Sequence, residues 1–242
     1  KGLSEDRTLT LGIWYPSPDE IGDRPGLFGS EETMKDATIM EGKDYPVVVF
    51  SHGTSGFAES FFYQTEFLAS HGYIVVACNH TGDTTSNVND FRETEMYLIR
   101  PQDVSAMIDW IYSDQMLEPL QGKLSDKLAL IGHSYGGWTS FVASGAQYSE
   151  EAIASCDTDT TSSWCVNMND EYRELFRGGF KDDRIKALIP MAPGNHGEIA
   201  QGGVGAIDIP VFLMTASGDK RCPNETQGNP YWEELQGDDN LR

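Results

Sequence analysis

Ser134 lies in a segment whose residue types and spacing suit a nucleophile. Residues 132–136 read Gly-His-Ser-Tyr-Gly and fit the pattern G-x-S-x-G. The apolar run at 128–131 predicts a buried parallel strand before the pattern, and residues 138–146 predict a helix after it. A serine at the apex of such a tight turn adopts strained backbone angles, and the glycines leave room for the turn. A five-residue pattern can be matched by chance in a Gly-rich chain. The prediction of a serine nucleophile therefore depends on the strand before the pattern and the helix after it.

A serine that transfers acyl groups also needs donors for the developing oxyanion and an acid that orients its base. Thr54 ends a Ser-His-Gly-Thr sequence that follows an apolar run. We therefore expect the oxyanion donors to be the backbone N–H groups of Thr54 and Tyr135. We expect the acid to be Asp219, because it lies in the loop that follows the predicted strand at 210–215. Asp208 precedes that strand and would face the opposite end of the sheet.

The base is the part of this constellation that the sequence does not place. The expected order is serine, then acid, then histidine, but no histidine follows Asp219. The five histidines of the chain are His52, His71, His80, His133 and His196. His80 and His196 lie in loops at the expected site end of the sheet, where either could line the pocket. We expect the base itself to lie beyond Arg242, after one more strand that residues 237–242 introduce.

The rest of the chain predicts the elements that position these residues. Further strands are predicted at 8–15, 45–51, 73–78, 184–191 and 209–215, and helices at 60–71, 101–113 and 231–235. This alternation implies right-handed crossovers and an α/β fold with a mostly parallel sheet and helices on both faces. We place Pro101 in the first turn of its helix. We predict one domain over residues 1–242, with both ends trimmed. It contains an irregular, lid-like insertion at 147–183, in which a short helix is expected near 171–176.

Composition and cysteine spacing limit the partners and the compartment. A formal charge of −21 would repel phosphate, so nucleic acid is not an expected partner. No apolar run is long enough to span a membrane. The four cysteines form no C-x-x-C pair, so a zinc site is not supported, and we expect no metal and no cofactor. Cys156 and Cys165 bracket a polar loop that a disulfide would order, which predicts a secreted or periplasmic protein. Cys78 is predicted to be a buried thiol.

These segments together resemble the α/β-hydrolase superfamily, within it the dienelactone-hydrolase-like and platelet-activating-factor-acetylhydrolase-like branch. The resemblance is carried by IWYP (13–16), VVVFSHGT (47–54), LASHGYIVVACNH (68–80), RPQDV (100–104), GHSYGGWT (132–139) and SGDKRCP (217–223). It implies an α/β-hydrolase fold that lacks its last strand and the hydrolysis of a carboxylic ester through an acyl-enzyme on Ser134. It also supports the site residues Thr54, Tyr135 and Asp219. Mammalian acetylhydrolases of this branch carry the acid where this chain has Ala192 and Pro193, so their lipid substrate is not implied.

Three functions stay open at this point. The first is a serine esterase, and the second is a polyester or lipid-ester hydrolase that uses the same site. The second would need apolar pocket walls, for which the candidates are Phe57, Tyr135, Trp138 and Trp164. The third is a binding protein that has kept the fold and lost the base. A small-molecule or polymeric ester is the expected partner of the two enzymes, and the sequence does not indicate an oligomeric state.

Overall fold

A computed structural model of the chain describes residues 7–20, 29–30, 33–42, 44–87, 94–199 and 202–235. Its strands are β1 (Leu11–Trp14), β2 (Tyr45–Ser51), β3 (Ile74–Cys78), β4 (Leu124–His133) and β5 (Ile185–Met191). Its helices are α1 (Phe62–Ser70), α2 (Thr94–Ile111), α3 (Tyr135–Ala143), α4 (Glu150–Ser155), α5 (Asp170–Gly178) and α6 (Asn229–Leu235). The strand expected from 237–242 onwards falls outside the described residues.

The five strands form one sheet in the order β1-β3-β2-β4-β5. The edge strand β1 runs antiparallel to β3, and the other three pairs are parallel. Helix α1 packs against one face of the sheet, on side chains that include Val48 and Ile131. Helices α2 and α3 pack against the other face, on side chains that include Val49 and Leu130. This covering on both faces explains why the central strands are almost continuously apolar. The predicted α/β fold with a mostly parallel sheet is confirmed.

The start of α2 corrects the sequence prediction. The helix begins at Thr94, so Pro101 lies inside it and not in its first turn. A proline has no N–H to donate to the carbonyl four residues earlier, and this usually breaks a helix. Here that carbonyl belongs to Tyr97, and it accepts the hydroxyl of Tyr148 at 2.8 Å. The missing backbone hydrogen bond is therefore replaced by a side chain from a distant part of the sequence.

The stretch predicted as a strand at 209–215 is also different. Only Val211 and Met214 form bridges, to Leu188 and Met191 of β5. Backbone hydrogen bonds of a parallel ladder join the 209–215 stretch to β5 both before and after the N atom of Pro190. Pro190 lies opposite the gap between the two bridges. Because Pro190 has no N–H, the ladder lacks the bond that would join the two bridges into one strand.

The insertion at 147–183 contains more regular structure than the sequence predicts. It holds α5, which covers the helical stretch expected near 171–176, and also α4, which was not predicted. The side chains of Ser149 and Asn169 accept backbone N–H groups at the starts of these helices. The ring of Trp164 packs on Tyr97 of α2 at 5.0 Å, and the ring of Tyr148 packs on Trp138 of α3 at 5.9 Å, so this stretch lies against the core.

Cys156 and Cys165 form a disulfide, as predicted, and Cys78 is a buried free thiol. Among the described residues, no helix is both long and apolar enough to cross a membrane.

Removal of this disulfide gives the first testable prediction. Cys156 and Cys165 are nine residues apart, so the bond restricts the unfolded chain by a short loop. We expect Cys156→Ala with Cys165→Ala to lower the free energy of unfolding by about 2 to 3 kcal/mol, measured by urea denaturation. A reducing agent should destabilise the wild type by a similar amount and leave the double variant unchanged. Equal stability of the two oxidised proteins would contradict the prediction.

Candidate active site

Ser134 lies at the apex of a sharp turn between β4 and α3. Its backbone angles are φ 54° and ψ −116°, which a non-glycine residue adopts only under strain. The turn is closed by the flanking glycines. A Cβ on Gly132 would lie 2.0 Å from the carbonyl oxygen of Gly136, and a Cβ on Gly136 would lie 2.0 Å from the carbonyl oxygen of Ser51. The N–H of Ser134 donates to the carbonyl of Met191 at 2.9 Å, which ties the turn to β5.

The loop after β2 lies directly against this turn. A Cβ on Gly53 would lie 3.3 Å from Cβ of Ser134 and 3.2 Å from Nδ1 of His133. Thr54, the next residue, is exposed. Tyr135 is the first residue of α3, so its N–H has no acceptor within the helix. In the part of the chain that the structure describes, neither the Thr54 N–H nor the Tyr135 N–H donates a hydrogen bond. The loop that carries Thr54 therefore packs against the turn at Ser134, and the N–H groups of Thr54 and Tyr135 have no acceptor among the described residues.

Asp219 lies in the loop that follows Met214, three residues before Cys222, which contacts Ser134. Its Oδ1 accepts the N–H groups of Arg221 at 2.8 Å and Cys222 at 3.0 Å. These two bonds, followed by the nearby ring of His133, lower the pKa of Asp219 below its usual value and keep the carboxylate ionised. Sγ of Cys222 lies 3.9 Å from Oγ of Ser134, so one residue joins the acidic loop to the serine. Cys222 lies in the SGDKRCP segment (217–223), but no role for its side chain was predicted.

Two histidines lie in the interior behind the loop that carries Thr54. Nδ1–H of His52 donates to the carbonyl of Gly53 at 2.7 Å, and its Nε2 accepts the N–H of His80 at 3.1 Å. Burial, followed by the charge of Arg100, lowers the pKa of His52 to about 3, so the ring stays neutral and holds the loop.

His80 does not line a pocket, which corrects the expectation from its loop position. Its Nε2 is 2.9 Å from Oγ of Ser51, and its Nδ1 is 2.9 Å from Oδ2 of Asp103. Ser51, His80 and Asp103 are thus hydrogen-bonded in the order of a Ser-His-Asp catalytic triad. The exposed fractions are 0%, 0% and 2%, however, so a substrate cannot reach this array. We interpret it as a structural hydrogen-bond chain.

The other three histidines have partners of their own. Nδ1 of His71 lies 2.8 Å from the carbonyl of Phe67 at the end of α1. The ring of His133 packs on that of Phe61 at 4.7 Å, and burial lowers its pKa. Nε2 of His196 lies 3.0 Å from Oε1 of Glu234. Among the described residues, therefore, no histidine has the contacts of a base for Ser134.

Most of the aromatic rings proposed as pocket walls lie in the core. The exposed fractions of Tyr135, Trp138 and Trp164 are 5%, 0% and 5%. All three pack edge-on against the ring of Tyr97, at centroid distances of 5.0 to 5.3 Å. They stabilise the helix that follows Ser134, and only Phe57 of the four remains partly exposed. The expectation that these rings face a substrate is corrected for the three buried ones.

Glu198, near His196, gives a prediction about pH. Its burial raises the pKa to about 7 from the usual 4.5, and within the described residues its Oε2 has no hydrogen-bond partner. Because the folded state favours the protonated form, the stabilisation present below pH 4.5 is lost as the pH rises through about 7. We expect Glu198→Gln to gain stability over the wild type, by about 3 kcal/mol, between pH 4.5 and pH 8 in urea denaturation. The exposed Glu174→Gln should follow the wild type, and a pH-independent difference for Glu198→Gln would contradict this account.

Comparisons with known proteins identify the family of the chain. The model of the family described as Chlorophyllase matches residues 34–155, just over half of the chain. The match includes Thr54, Ser134 and Tyr135 and ends before Asp219.

Among the described residues, no group of three or more His, Cys, Asp or Glu side chains could hold a metal ion.

Curated relatives include platelet-activating factor acetylhydrolases. That of Cavia porcellus is 28% identical over 153 residues, which cover 47% of this chain and 35% of the relative. That of Bos taurus is 26% identical over 163 residues, which cover 49% and 37%. The chain thus spans about a third of the length of the curated relatives that it matches.

A solved structure is similar over almost the whole chain. The ferulic acid esterase from Streptomyces cinnamoneus superposes with a TM-score of 0.61 and 17% identity, covering 96% of this chain and 64% of that one. At this identity the likeness shows the fold, which is that of an α/β-hydrolase. With the family match and the acetylhydrolase relatives, it supports the resemblance seen in the sequence. The chain belongs to the chlorophyllase family, in the platelet-activating-factor-acetylhydrolase-like branch of the α/β-hydrolases.

Proposed function

We propose that the protein hydrolyses carboxylic esters through an acyl-enzyme on Ser134. The observation that carries the proposal is the strained turn at Ser134, against which the loop that carries Thr54 packs. The curated relatives are named acetylhydrolases and the structural neighbour is named an esterase, so ester hydrolysis is the chemistry that these names share. The particular ester is not implied by them.

Each residue has one step in this reaction. Oγ of Ser134 attacks the ester carbonyl carbon, and the N–H groups of Thr54 and Tyr135 donate to the oxygen that becomes negative. The base takes the proton of Ser134 and gives it to the alkoxide oxygen of the ester, so the alcohol leaves. The base then takes a proton from water, which attacks the acyl carbon; the acid leaves and Oγ of Ser134 regains a proton. Asp219 stays ionised and orients the base, whose imidazolium it stabilises.

The base needs a histidine other than the five in the chain, because each of these has contacts elsewhere. It must reach Oγ of Ser134 and the carboxylate of Asp219 together. Cys222 lies between the two, with Sγ 3.9 Å from Ser134 and its N–H bound to Asp219. We propose that the base ring packs beside Cys222 in the full-length protein.

A second candidate is a polyester or lipid-ester hydrolase with the same site. Tyr63 is 61% exposed, and its ring lies 5.6 Å from that of Phe61, which contacts His133 beside the serine. An exposed aromatic side chain so close to the site suits an apolar acyl chain or a polymer surface.

We also propose a secreted or periplasmic location and no nucleic-acid partner. The Cys156–Cys165 disulfide supports an oxidising compartment, and the charge of −21 supports the exclusion of nucleic acid.

The test is turnover by the full-length protein. We expect hydrolysis of p-nitrophenyl acetate and butyrate. The release of acid from a polyester film is measured beside it: a high ratio of p-nitrophenyl ester hydrolysis to film hydrolysis favours the first candidate, and a low ratio favours the second. Failure to hydrolyse any ester, with no reaction of Ser134 with a fluorophosphonate, would overturn the proposal and favour a binding protein that has kept the fold.

A further inference from the structure

Arg100, in the middle of α2, is completely buried and all its nitrogens donate hydrogen bonds. Nε donates to Oγ1 of Thr139 at 3.1 Å. One terminal nitrogen forms an ion pair with Oδ2 of Asp83, whose side chain is also fully buried. The other donates to Oγ of Ser51 at 3.2 Å and to the carbonyl of His52. A buried charge is retained only with such a complete set of partners.

On one side these bonds fix the loop that carries Thr54. Arg100 binds the carbonyl of His52, two residues before Thr54. Asp83 accepts from Arg100 through Oδ2 and from the N–H of Ser55 through Oδ1, at 2.7 Å. The backbone is thus held on both sides of Thr54, and the Thr54 N–H itself stays free within the described part of the chain.

On the other side the same guanidinium fixes the residue after the serine. Oγ1 of Thr139 accepts from Arg100 and donates to the carbonyl of Tyr135 at 2.8 Å. Cζ of Arg100 also lies 4.5 Å from the centre of the Tyr135 ring, a cation–π distance. Both the backbone and the ring of Tyr135 are therefore held by Arg100, directly or through one hydroxyl.

We propose that Arg100 is a positioning residue that fixes the separation of the two oxyanion donors, the N–H groups of Thr54 and Tyr135. The inference rests on the proposed function of Ser134. The two donors belong to different segments, and the stabilisation of an oxyanion depends steeply on their placement. A single rigid, planar guanidinium that bonds to both segments keeps this placement, and a lysine cannot reproduce its fork of donors.

The chain Ser51–His80–Asp103 supports Arg100 from behind. Oγ of Ser51 accepts from Arg100, which leaves its own proton for Nε2 of His80. Nδ1–H of His80 then donates to Asp103, which also binds Arg7. This accounts for a buried polar array that ester hydrolysis itself does not use.

The test uses Arg100→Met, Arg100→Lys and Thr139→Val in the full-length protein, at a temperature where circular dichroism shows each variant folded. We measure kcat and KM for p-nitrophenyl butyrate, and Ki for a trifluoromethyl ketone, which forms an oxyanion on the serine. The control is Arg184→Met, which breaks the ion pairs of Arg184 with Asp109 and Asp182. Thr139→Ser keeps the hydroxyl and should rescue the loss seen in Thr139→Val.

We expect kcat to fall about 100-fold in Arg100→Met and about 10-fold in Thr139→Val, with KM changed less than about threefold and Ki raised in proportion to the loss of kcat. Arg184→Met should keep the wild-type kcat. A folded Arg100→Lys or Thr139→Val with the kcat and Ki of the wild type, or with a loss in KM alone, would overturn the inference even if Arg100→Met does not fold. Absence of turnover in the wild type would instead overturn the proposed function and this inference with it.

Discussion

Replacement of Gly136 by alanine should prevent the turn at Ser134 from forming. The added Cβ would lie 2.0 Å from the carbonyl oxygen of Ser51 and 2.7 Å from that of His52. Both contacts are with backbone, so no side-chain rotation relieves them, and α3 would have to move away from β2. We expect a loss of more than about 4 kcal/mol in the free energy of unfolding, measured by urea denaturation, or a protein that does not fold.

Gly178→Ala is the matched control. Gly178 lies in α5, and a Cβ there would have no heavy atom within 4 Å. Alanine has the higher helix propensity, so this variant should be neutral or more stable by up to about 1 kcal/mol. A Gly136→Ala protein with the stability of Gly178→Ala would show that the turn is not as close to β2 as the structure has it.

Replacement of Ser134 by alanine should remove catalysis and keep the fold. The Cβ stays in place, so the packing of the turn is unchanged, but the atom that would form the acyl-enzyme is lost. We expect kcat/KM for p-nitrophenyl butyrate to fall by at least about 10⁴-fold in the full-length protein. Residual turnover should come from the two backbone donors and from substrate binding.

Ser140→Ala is the control for this change. Ser140 is a buried serine of α3 whose Oγ donates to the carbonyl of Gly137 at 2.7 Å. Its loss should alter stability slightly and leave kcat/KM within about threefold of the wild type. Comparable activity in Ser134→Ala and in the wild type would exclude Ser134 as the nucleophile.

Much of the fold could be predicted from local pattern. Strand β2 matches its predicted bounds, and β4 and α3 surround Ser134 in the predicted order, because buried strands are continuously apolar and the turn needs glycines. The disulfide was predicted because its cysteines are close in sequence. These are the features whose causes lie within a few residues of each other.

The errors arise where a partner is distant in sequence. Pro101 signals a helix start, and only the hydroxyl of Tyr148 allows it inside α2. The gap in the ladder beside Val211 has its cause in Pro190 of another segment. In both cases the prediction was wrong because a residue distant in sequence changed the outcome of the local pattern, and that residue could not be identified without the fold.

The candidate site was predictable in part for the same reason. The segments of Thr54 and Ser134 carry their own patterns, and the structure brings them together. The role of Arg100 has no local signature, because an arginine in a helix is usually exposed and its four partners come from three other segments. The isolation of His80 likewise became visible only from its burial.

The most direct test of the account is the mass of the full-length protein after reaction with a fluorophosphonate, followed by peptide mapping. The account predicts one adduct per chain, on the peptide that contains Ser134, together with loss of esterase activity, and no adduct in Ser134→Ala. Esterase activity that persists without an adduct, or an adduct on another residue such as Cys222, would contradict the assignment of Ser134 as the nucleophile.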